Sequence, residues 1–379
     1  MPDSVRPAAP AGIEQIGRGT APLQALFQLA ERLIDRDEEE SGDYGQDVRH
    51  TFFRADAFID ASDKSKIEDQ TRRFVEVIFG HPFETPTKHE TGMNHAFGSA
   101  LRSADVSRQV GAAICTEDGQ VLAVGTNEVP KAGGGLYWGD SDHDARDFRF
   151  AETDEPNAEM KLIILSDLLA RLKPEYLRED VTIDNARVGE VAAKLKDSRL
   201  WDITEYGRQV HAEMAAITDA ARRGVSVQDG TLYCTTFPCH NCAKHIVAAG
   251  IKEVIYIEPY PKSQVQRLFP DSIAVDRRCT SDQVSFSAFV GFAPTRFSDF
   301  FVIRQRRDKA TKQILRWEAI SKTSEPRVKG IPSAYLIEEV KTSSKLENAM
   351  QAANFEFVQK GGTDEQQQQA SEGDERRSE

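Results

Sequence analysis

The stretch TLYCTTFPCHNCAKHIVAAGIKEVIYIE, residues 231–258, decides the fold. Thr231–Thr236 reads as an apolar strand, Cys239–Ala249 as a helix ended by Gly250, and Glu253–Glu258 as a second strand. Two strands joined by a short helical crossover imply a parallel pair within a layered α/β domain. The helix opens on Pro238-Cys239-His240-Asn241-Cys242, a Cys-x-x-Cys pair directly behind a proline. At a helix N-terminus the unpaired backbone N–H groups and the positive end of the dipole favour thiolate over thiol.

Upstream lies His211-Ala-Glu213, inside a segment, Tyr206–Arg223, that predicts a helix stopped by Gly224. His211, Cys239 and Cys242 together offer one imidazole and two thiolates. Three such ligands leave the fourth tetrahedral position of zinc to water, the open arrangement of a catalytic site. Zinc brings the pKa of that water from 15.7 toward about 7. Glu213 is not needed as a ligand and is placed to take a proton from the water. The other cysteines differ in kind. Cys115 and Cys234 fall in apolar strands as core thiols, Cys279 carries no signal, and an odd total of five offers no disulfide framework. His240 and His245 read as a solvent-facing and a packed imidazole and not as ligands.

Before this region, Met93–Ser103 predicts a helix, and Val110–Cys115 and Val121–Thr126 predict strands joined by a turn at Glu117-Asp118-Gly119. Residues 81–92 hold two prolines and no periodicity, which puts a boundary near residue 85. An N-terminal extension, 1–85, thus precedes a central domain, 86–265, interrupted by an insertion at 131–200 with its own helix at Ala158–Leu172. The extension carries a helical stripe in Pro22–Ile34, an acidic loop from Asp35, a short buried strand in His50–Asp60 and a helix over Ile67–Phe79. A C-terminal extension, 266–360, includes the Phe-rich run Val284–Phe301. Residues 361–379, with four consecutive glutamines, predict a disordered tail.

The 379 residues, 39% hydrophobic and 29% charged, suffice for two domains or one domain with large extensions. The net charge is −13, and the chain remains acidic once the tail is set aside. Duplex binding draws its affinity from Lys and Arg on phosphates, so no long nucleic acid is expected as partner; a local basic pocket for one nucleotide stays compatible with the charge. No apolar run reaches 18 residues and the first residues lack the apolar stretch of a secretory signal. The expectation is a soluble, cytoplasmic protein with no membrane partner.

The His-x-Glu…Pro-Cys-x-x-Cys pattern is shared with zinc-dependent nucleobase deaminases. Residues 93–127 and 206–263 resemble, more narrowly, the deoxycytidylate (dCMP) deaminase family of the cytidine deaminase superfamily. Three stretches carry the likeness. They are Arg102-Ser-Ala-Asp105-Val-Ser-Arg108-Gln109-Val-Gly-Ala112, Val124-Gly125-Thr-Asn127-Glu128-Val-Pro130 and the 231–256 segment quoted above. In the second, Glu128 replaces a glycine of the family pattern. The resemblance implies a three-layer cytidine-deaminase-like fold, a mixed sheet flanked by helices, with one catalytic Zn²⁺ per chain. It implies hydrolysis of a free deoxycytidine nucleotide, dCMP or dCTP, to the deoxyuridine nucleotide and ammonia, Glu213 relaying the proton to the ring nitrogen and the leaving group. Under this likeness Asn127 hydrogen-bonds the sugar hydroxyl or base, Arg108 binds phosphate through its planar fork, and Tyr260 and Lys262 close over base or phosphate. Without it, Asn127 reads equally as a turn-former before Pro130 and Arg108 as a surface arginine.

The longer layout resembles the bacterial anti-phage deoxycytidine nucleotide deaminases, which join a P-loop kinase-like domain to a deaminase domain. Leu33–Glu38 and Phe53–Asp60 look like the late part of such a kinase fold, and Phe289–Phe297 like a downstream segment of that group. A phosphate-cradling P-loop needs Gly-x₄-Gly-Lys-Ser/Thr. The nearest match, Gly12-Ile-Glu-Gln-Ile-Gly17-Arg-Gly-Thr, has no lysine and no preceding strand. The extension therefore reads as a kinase remnant without kinase activity. An antiviral role and a homo-oligomer follow from the likeness alone. Two alternatives remain: a deaminase of polynucleotide (tRNA or single-stranded DNA), which the negative charge opposes, and a non-catalytic nucleotide-binding regulator. Monophosphate against triphosphate turns on where basic groups sit, the candidates being Lys161, Arg171 and Lys173 in the insertion or the stretch Arg304–Lys309.

Overall fold

The computed structural model describes residues 52, 54–150, 156–176, 184–195, 198–203, 205–260, 262–276, 279–303, 305–317, 326–327 and 332–352. The helix expected over Pro22–Ile34, the acidic loop after it, the kinase-like Leu33–Glu38 and the tail at 361–379 lie outside these residues. In chain order the first elements are β1 (Ala57–Phe58), α1 (Lys64–Ile78), α2 (Lys88–Ala100), β2 (Gly111–Cys115) and β3 (Val121–Thr126). Two helices of the insertion follow, α3 (Pro156–Tyr176) and α4 (Asn185–Lys194). Then come α5 (Ala212–Arg223), β4 (Thr231–Thr236), α6 (His240–Ala248), β5 (Glu253–Glu258), β6 (Ile273–Val275), β7 (Val284–Ala288) and β8 (Gly291–Phe292).

The sheet runs β3-β2-β4-β5-β7-β6, with β2 antiparallel to both its neighbours and the β4, β5, β7 and β6 pairings parallel. The parallel β4–β5 pair and the mixed sheet flanked by helices are as the strand–helix–strand reading expects. Beyond residue 265 the sheet continues through β6 and β7, while β1 pairs with β8 as a separate antiparallel ribbon. Side chains alternate across the strands with period two. Ala112, Ile114, Leu232, Cys234, Val254 and Tyr256 pack with Ala212, Ala216 and Ile246 of α5 and α6 on one face. Ala113, Cys115, Tyr233 and Ile255 pack with Met93 and Ala96 of α2 on the other. Covering both faces is what lets strands this apolar stay out of water.

Several boundaries move for local reasons. The helix expected at Met93–Ser103 starts earlier, at Lys88, because Thr87 and Glu90 form a capping box: the Thr87 hydroxyl accepts from the Glu90 N–H and the Glu90 carboxylate from the Thr87 N–H. The helix expected over Tyr206–Arg223 starts only at Ala212, since Val210 and Glu128 exchange backbone hydrogen bonds of 3.0 and 3.3 Å and hold 206–210 out of helical geometry. Among the described residues the strand expected within His50–Asp60 is the two-residue β1.

Glu90 is also a junction. Its buried carboxylate accepts from Arg73 Nη1 and Nη2 at 2.9 and 2.8 Å and from the Phe292 N–H at 2.9 Å, in addition to the Thr87 N–H at 2.7 Å. One side chain thereby ties α1 and β8 to α2, with its lone pairs satisfied as a buried charge requires. The chain separates into two compact units, one ending at Arg327 and one beginning at Val328. The described part of the second is a helix, α7 (Pro332–Ala352), with Ile337, Val340 and Leu346 exposed.

Two glycines set how closely helices lie on the sheet. A Cβ at Gly125 of β3 would overlap the Ala212 carbonyl oxygen and the Ala216 nitrogen of α5, and one at Gly111 of β2 would overlap the backbone of α2. Gly125→Ala should therefore cost about 1–3 kcal/mol in equilibrium urea unfolding. Gly98→Ala, at an exposed site in α2 with open space around it, should instead stabilise by about 0.4–1 kcal/mol. Equal effects of the two substitutions would contradict the close α5–β3 approach.

Candidate active site

Two helix N-termini meet at the C-terminal end of β4. His211 is the N-cap of α5 and Cys239 the N-cap of α6, both with extended backbone (φ −65°, ψ 152° and φ −68°, ψ 163°). Neither side chain caps its own helix, so both turn toward the gap between the helices. Cys242, buried in the first turn of α6, completes the trio. His211 Nδ1 stands 3.4 Å from Cys239 Sγ and 3.3 Å from Cys242 Sγ. An ion about 2.0 Å from nitrogen and about 2.3 Å from sulfur in tetrahedral geometry requires N···S separations of about 3.6 Å. The spacing, and the donor set of one imidazole and two thiols, therefore fit zinc; among the described residues this is the group whose ligand atoms converge in that way.

The protonation of the trio reflects this crowding. A hydrogen bond from Cys242 and the neighbouring imidazole pull the Cys239 thiol down to about 4. The same Cys239 hydrogen bond holds His211 up at about 9, against the effect of burial, and Cys242, as donor, is pushed well up. Binding a cation replaces these shared protons, because each ligand must offer a lone pair. Glu213 follows in the first turn of α5, buried, its carboxyl raised by desolvation and opposed by the His211 charge.

His211, Glu213 and Cys239 open onto a cavity of about 350 Å³, also lined by Asp105, Arg108, Asn127 and Tyr260. Asn127 is buried, and its amide is engaged with the backbone: Nδ2 donates to the Arg108 carbonyl at 2.8 Å, and Oδ1 accepts from the Val110 N–H at 2.7 Å. It thereby shapes the 108–110 loop as well as facing the cavity. Arg108 donates from Nη1 to Glu258 Oε2 at 3.1 Å, an acceptor shared with the Thr236 hydroxyl at 3.0 Å. Lys262 is exposed and is not part of the cavity lining. His240 and His245 stay outside the trio, His245 bonding the Asn241 carbonyl. Cys115 and Cys234 are fully buried in the sheet, and burial pushes Cys115 up to about 11.

The lining also includes Asp105 and Asn157, which the sequence does not mark as site residues, and Lys161, one of the basic groups weighed there. Asp105 accepts from the Ser107 and Arg108 N–H groups, a turn that aims the Arg108 loop. Asn157 and Lys161 come from α3 of the insertion. With Leu165 they recur every four residues, a buried helical stripe that periodicity could have revealed. Of the basic groups weighed in the insertion, Lys161 is in the lining, whereas Arg171 is exposed and paired with Asp167.

Residues 86–258 match the family model of the cytidine and deoxycytidylate deaminase zinc-binding region. The deoxycytidylate deaminase of Enterobacteria phage T4 is 46% identical over 56 residues, 15% of this chain and 29% of that protein. The Mus musculus deoxycytidylate deaminase is 30% identical over 162 residues, 43% of this chain and 60% of that protein. The chain thus spans under two thirds of the length of these curated relatives. A crystal structure of dCMP deaminase from the cyanophage S-TIM5, in complex with dCMP and dUMP, aligns with 55% of this chain and all of that chain, at 19% identity and a TM-score of 0.31.

Metal content checks the trio. Cys242→Ser and His211→Ala in the purified full chain should each weaken zinc retention against a competing chelator by more than about 100-fold, the upper range for lesser changes around a metal. Glu213→Gln should retain it. A Cys242→Ser chain that holds zinc as tightly as the parent would remove Cys242 from the ligand set.

Proposed function

We propose that this chain, whose residues 86–258 match the family model of the cytidine and deoxycytidylate deaminase zinc-binding region, belongs to that family and is a zinc-dependent hydrolase that converts a free deoxycytidine nucleotide to the deoxyuridine nucleotide and ammonia. One observation carries the reading: His211, Cys239 and Cys242 converge with zinc-compatible spacing beside the buried Glu213, on the wall of a cavity of nucleotide size. The zinc-binding description of the matching family and the deoxycytidylate deaminases among the relatives support it.

His211 Nδ1 and the two Sγ atoms would hold one ion per chain, which supplies Lewis acidity that makes a water acidic near neutral pH. The roles of the chain's own groups follow from position. The Glu213 carboxylate accepts a proton from the attacking water and delivers it to the ring nitrogen. The water oxygen bonds to C4, its remaining proton passes by the same carboxyl to the amino group, and the C4–N bond breaks to release ammonia, leaving that oxygen as the uracil carbonyl and the ring nitrogen protonated. Burial of Glu213 keeps bulk water from competing for that proton. Asn127 holds the 108–110 loop against the substrate, and Arg108, braced by Glu258, presents its guanidinium at the cavity wall. Tyr260 borders the same space, and Lys262 beside it would reach the substrate only by moving.

A small-molecule substrate agrees with a net charge of −13, which opposes polynucleotide binding. Among the described residues no helix is long and apolar enough to cross a membrane. A role in depleting nucleotide pools during phage infection rests on the likeness of layout alone. The test is ammonia release by the zinc-loaded full chain from dCMP, dCTP, deoxycytidine and CMP, with a cytosine-containing single-stranded oligonucleotide in parallel. Turnover is expected with a deoxycytidine nucleotide and not with the oligonucleotide. Glu213→Gln should lower kcat by about 10²–10⁴-fold or more without loss of metal. Undiminished turnover in that variant would refute the proton relay.

A further inference from the structure

The cavity that His211 and Glu213 line has an unmet need, and it is for a hydrogen-bond donor. On the α3 side the polar groups are engaged: Lys161 Nζ donates to the Trp201 carbonyl at 2.7 Å and Asn157 Nδ2 to the Ile203 carbonyl at 2.9 Å. Arg108 donates to Glu258, and each half of the Asn127 amide holds loop backbone, at the Arg108 carbonyl and the Val110 N–H. Asp105 differs. This residue is partly buried and lines the cavity. Its Oδ1 accepts from the Ser107 and Arg108 N–H groups at 2.8 and 3.2 Å, which fixes the carboxylate in the turn. Its Oδ2 is buried and meets no hydrogen-bond donor among the described residues. Such an oxygen is costly to keep unless a donor reaches it. Gln209 Oε1, on the same lining, is also buried and unpartnered, but a neutral amide can turn end for end and present N–H2 in place of oxygen. A carboxylate has no such alternative.

We propose that Asp105 is a specificity-determining residue whose Oδ2 accepts a hydrogen bond from the sugar hydroxyl of the substrate. This inference rests on the reading of the site as a nucleotide deaminase. A deoxycytidine nucleotide carries donors in two places, the amino group of the base and the hydroxyl on C3′ of the sugar. The amino group belongs to the reacting end, where Glu213 and the metal trio act. The hydroxyl is the donor that remains for Asp105. A phosphate offers acceptors and negative charge, which the same carboxylate repels. It is drawn instead to the guanidinium of Arg108, three residues along the same turn, whose N–H Asp105 itself holds. Hydroxyl and phosphate hang from one sugar ring in a nucleotide, and their complements stand on one turn of the loop here. The hydroxyl contact that the family resemblance gives to Asn127 thus passes to Asp105, because both ends of the Asn127 amide hold the loop.

The experiment compares the zinc-loaded full chain with Asp105→Asn, in which asparagine keeps one oxygen for the Ser107 and Arg108 N–H groups while the other oxygen becomes N–H2. Ammonia release is measured from dCMP and dCTP and from their 2′,3′-dideoxy counterparts, which lack only the hydroxyl, and thermal unfolding confirms that the variant is folded. Should it not fold, Asp105→Ser, whose hydroxyl can still accept from the turn, takes its place. The parent should favour the hydroxyl-bearing nucleotide in kcat/KM by about 10–100-fold, the range for a hydrogen bond to a charged group. In the variant the two substrates should fall within about twofold of each other. No discrimination by the parent, or an equal loss on both substrates in the variant, would overturn the assignment. Equilibrium binding of dUMP and of 2′,3′-dideoxyuridine monophosphate separates the inference from the reading it rests on. Should the parent release no ammonia from any nucleotide, the deaminase reading fails, while a preference for dUMP that the variant loses would still uphold the hydroxyl contact. Equal affinities for the two in the parent, or no binding of either, would reject it.

Discussion

The structure depends on one constraint: two helices must begin at the same point above the sheet. His211 and Cys239 occupy equivalent places, each the last non-helical residue before a helix and each leaving its own helix uncapped by its side chain. The N-terminal ends of both helices therefore lie at the trio, and their dipoles favour the anionic sulfur that a cation needs. The meeting point is held by close packing of small residues. Ala212 and Ala216 of α5 are fully buried against the sheet, and glycine at 125 lets the helix backbone touch the strand. Ligand geometry here is a product of backbone proximity, with no long side chain spanning a gap.

Much of this was legible in the sequence, for identifiable reasons. The β4–α6–β5 unit announces itself because its apolar runs, its Cys-x-x-Cys start and its Gly250 end agree with one another. The trio could be read because ligand chemistry restricts residue type more strongly than packing does. The start of α5 was misplaced because the pattern of 206–211 is overruled by the bridge between Val210 and Glu128, a partner some eighty residues earlier in the chain. Likewise nothing local to Arg108 says that it meets Glu258, 150 residues away, or that the Asn127 amide is engaged by backbone. Such partnerships are tertiary, and composition and periodicity do not encode them.

The insertion shows the same limit from the other side. As a stretch of sequence it reads as an insertion with its own helix and with basic groups that are candidates for phosphate, and its apolar residues do pack on one another. Its polar residues look elsewhere. Arg208, just ahead of His211, bonds Asp147 at 2.9 Å, so the excursion is tied at its entry to the segment that leads into the metal trio. A segment added to a compact fold has thus become part of the chamber wall, joined through hydrogen bonds to main-chain oxygens at its far end.

The Glu90 junction bears on where this protein can be cut. The family match covers 86–258, but the groups that neutralise and solvate the Glu90 carboxylate, Arg73 and the Phe292 N–H, fall outside it. A fragment excised at the match boundaries would strand an ionised oxygen pair in an apolar seam and strip β5 of its β7 neighbour, exposing a raw sheet edge of the kind that recruits other chains into aggregates. The smallest piece able to fold is accordingly larger than the piece that evolution makes recognisable.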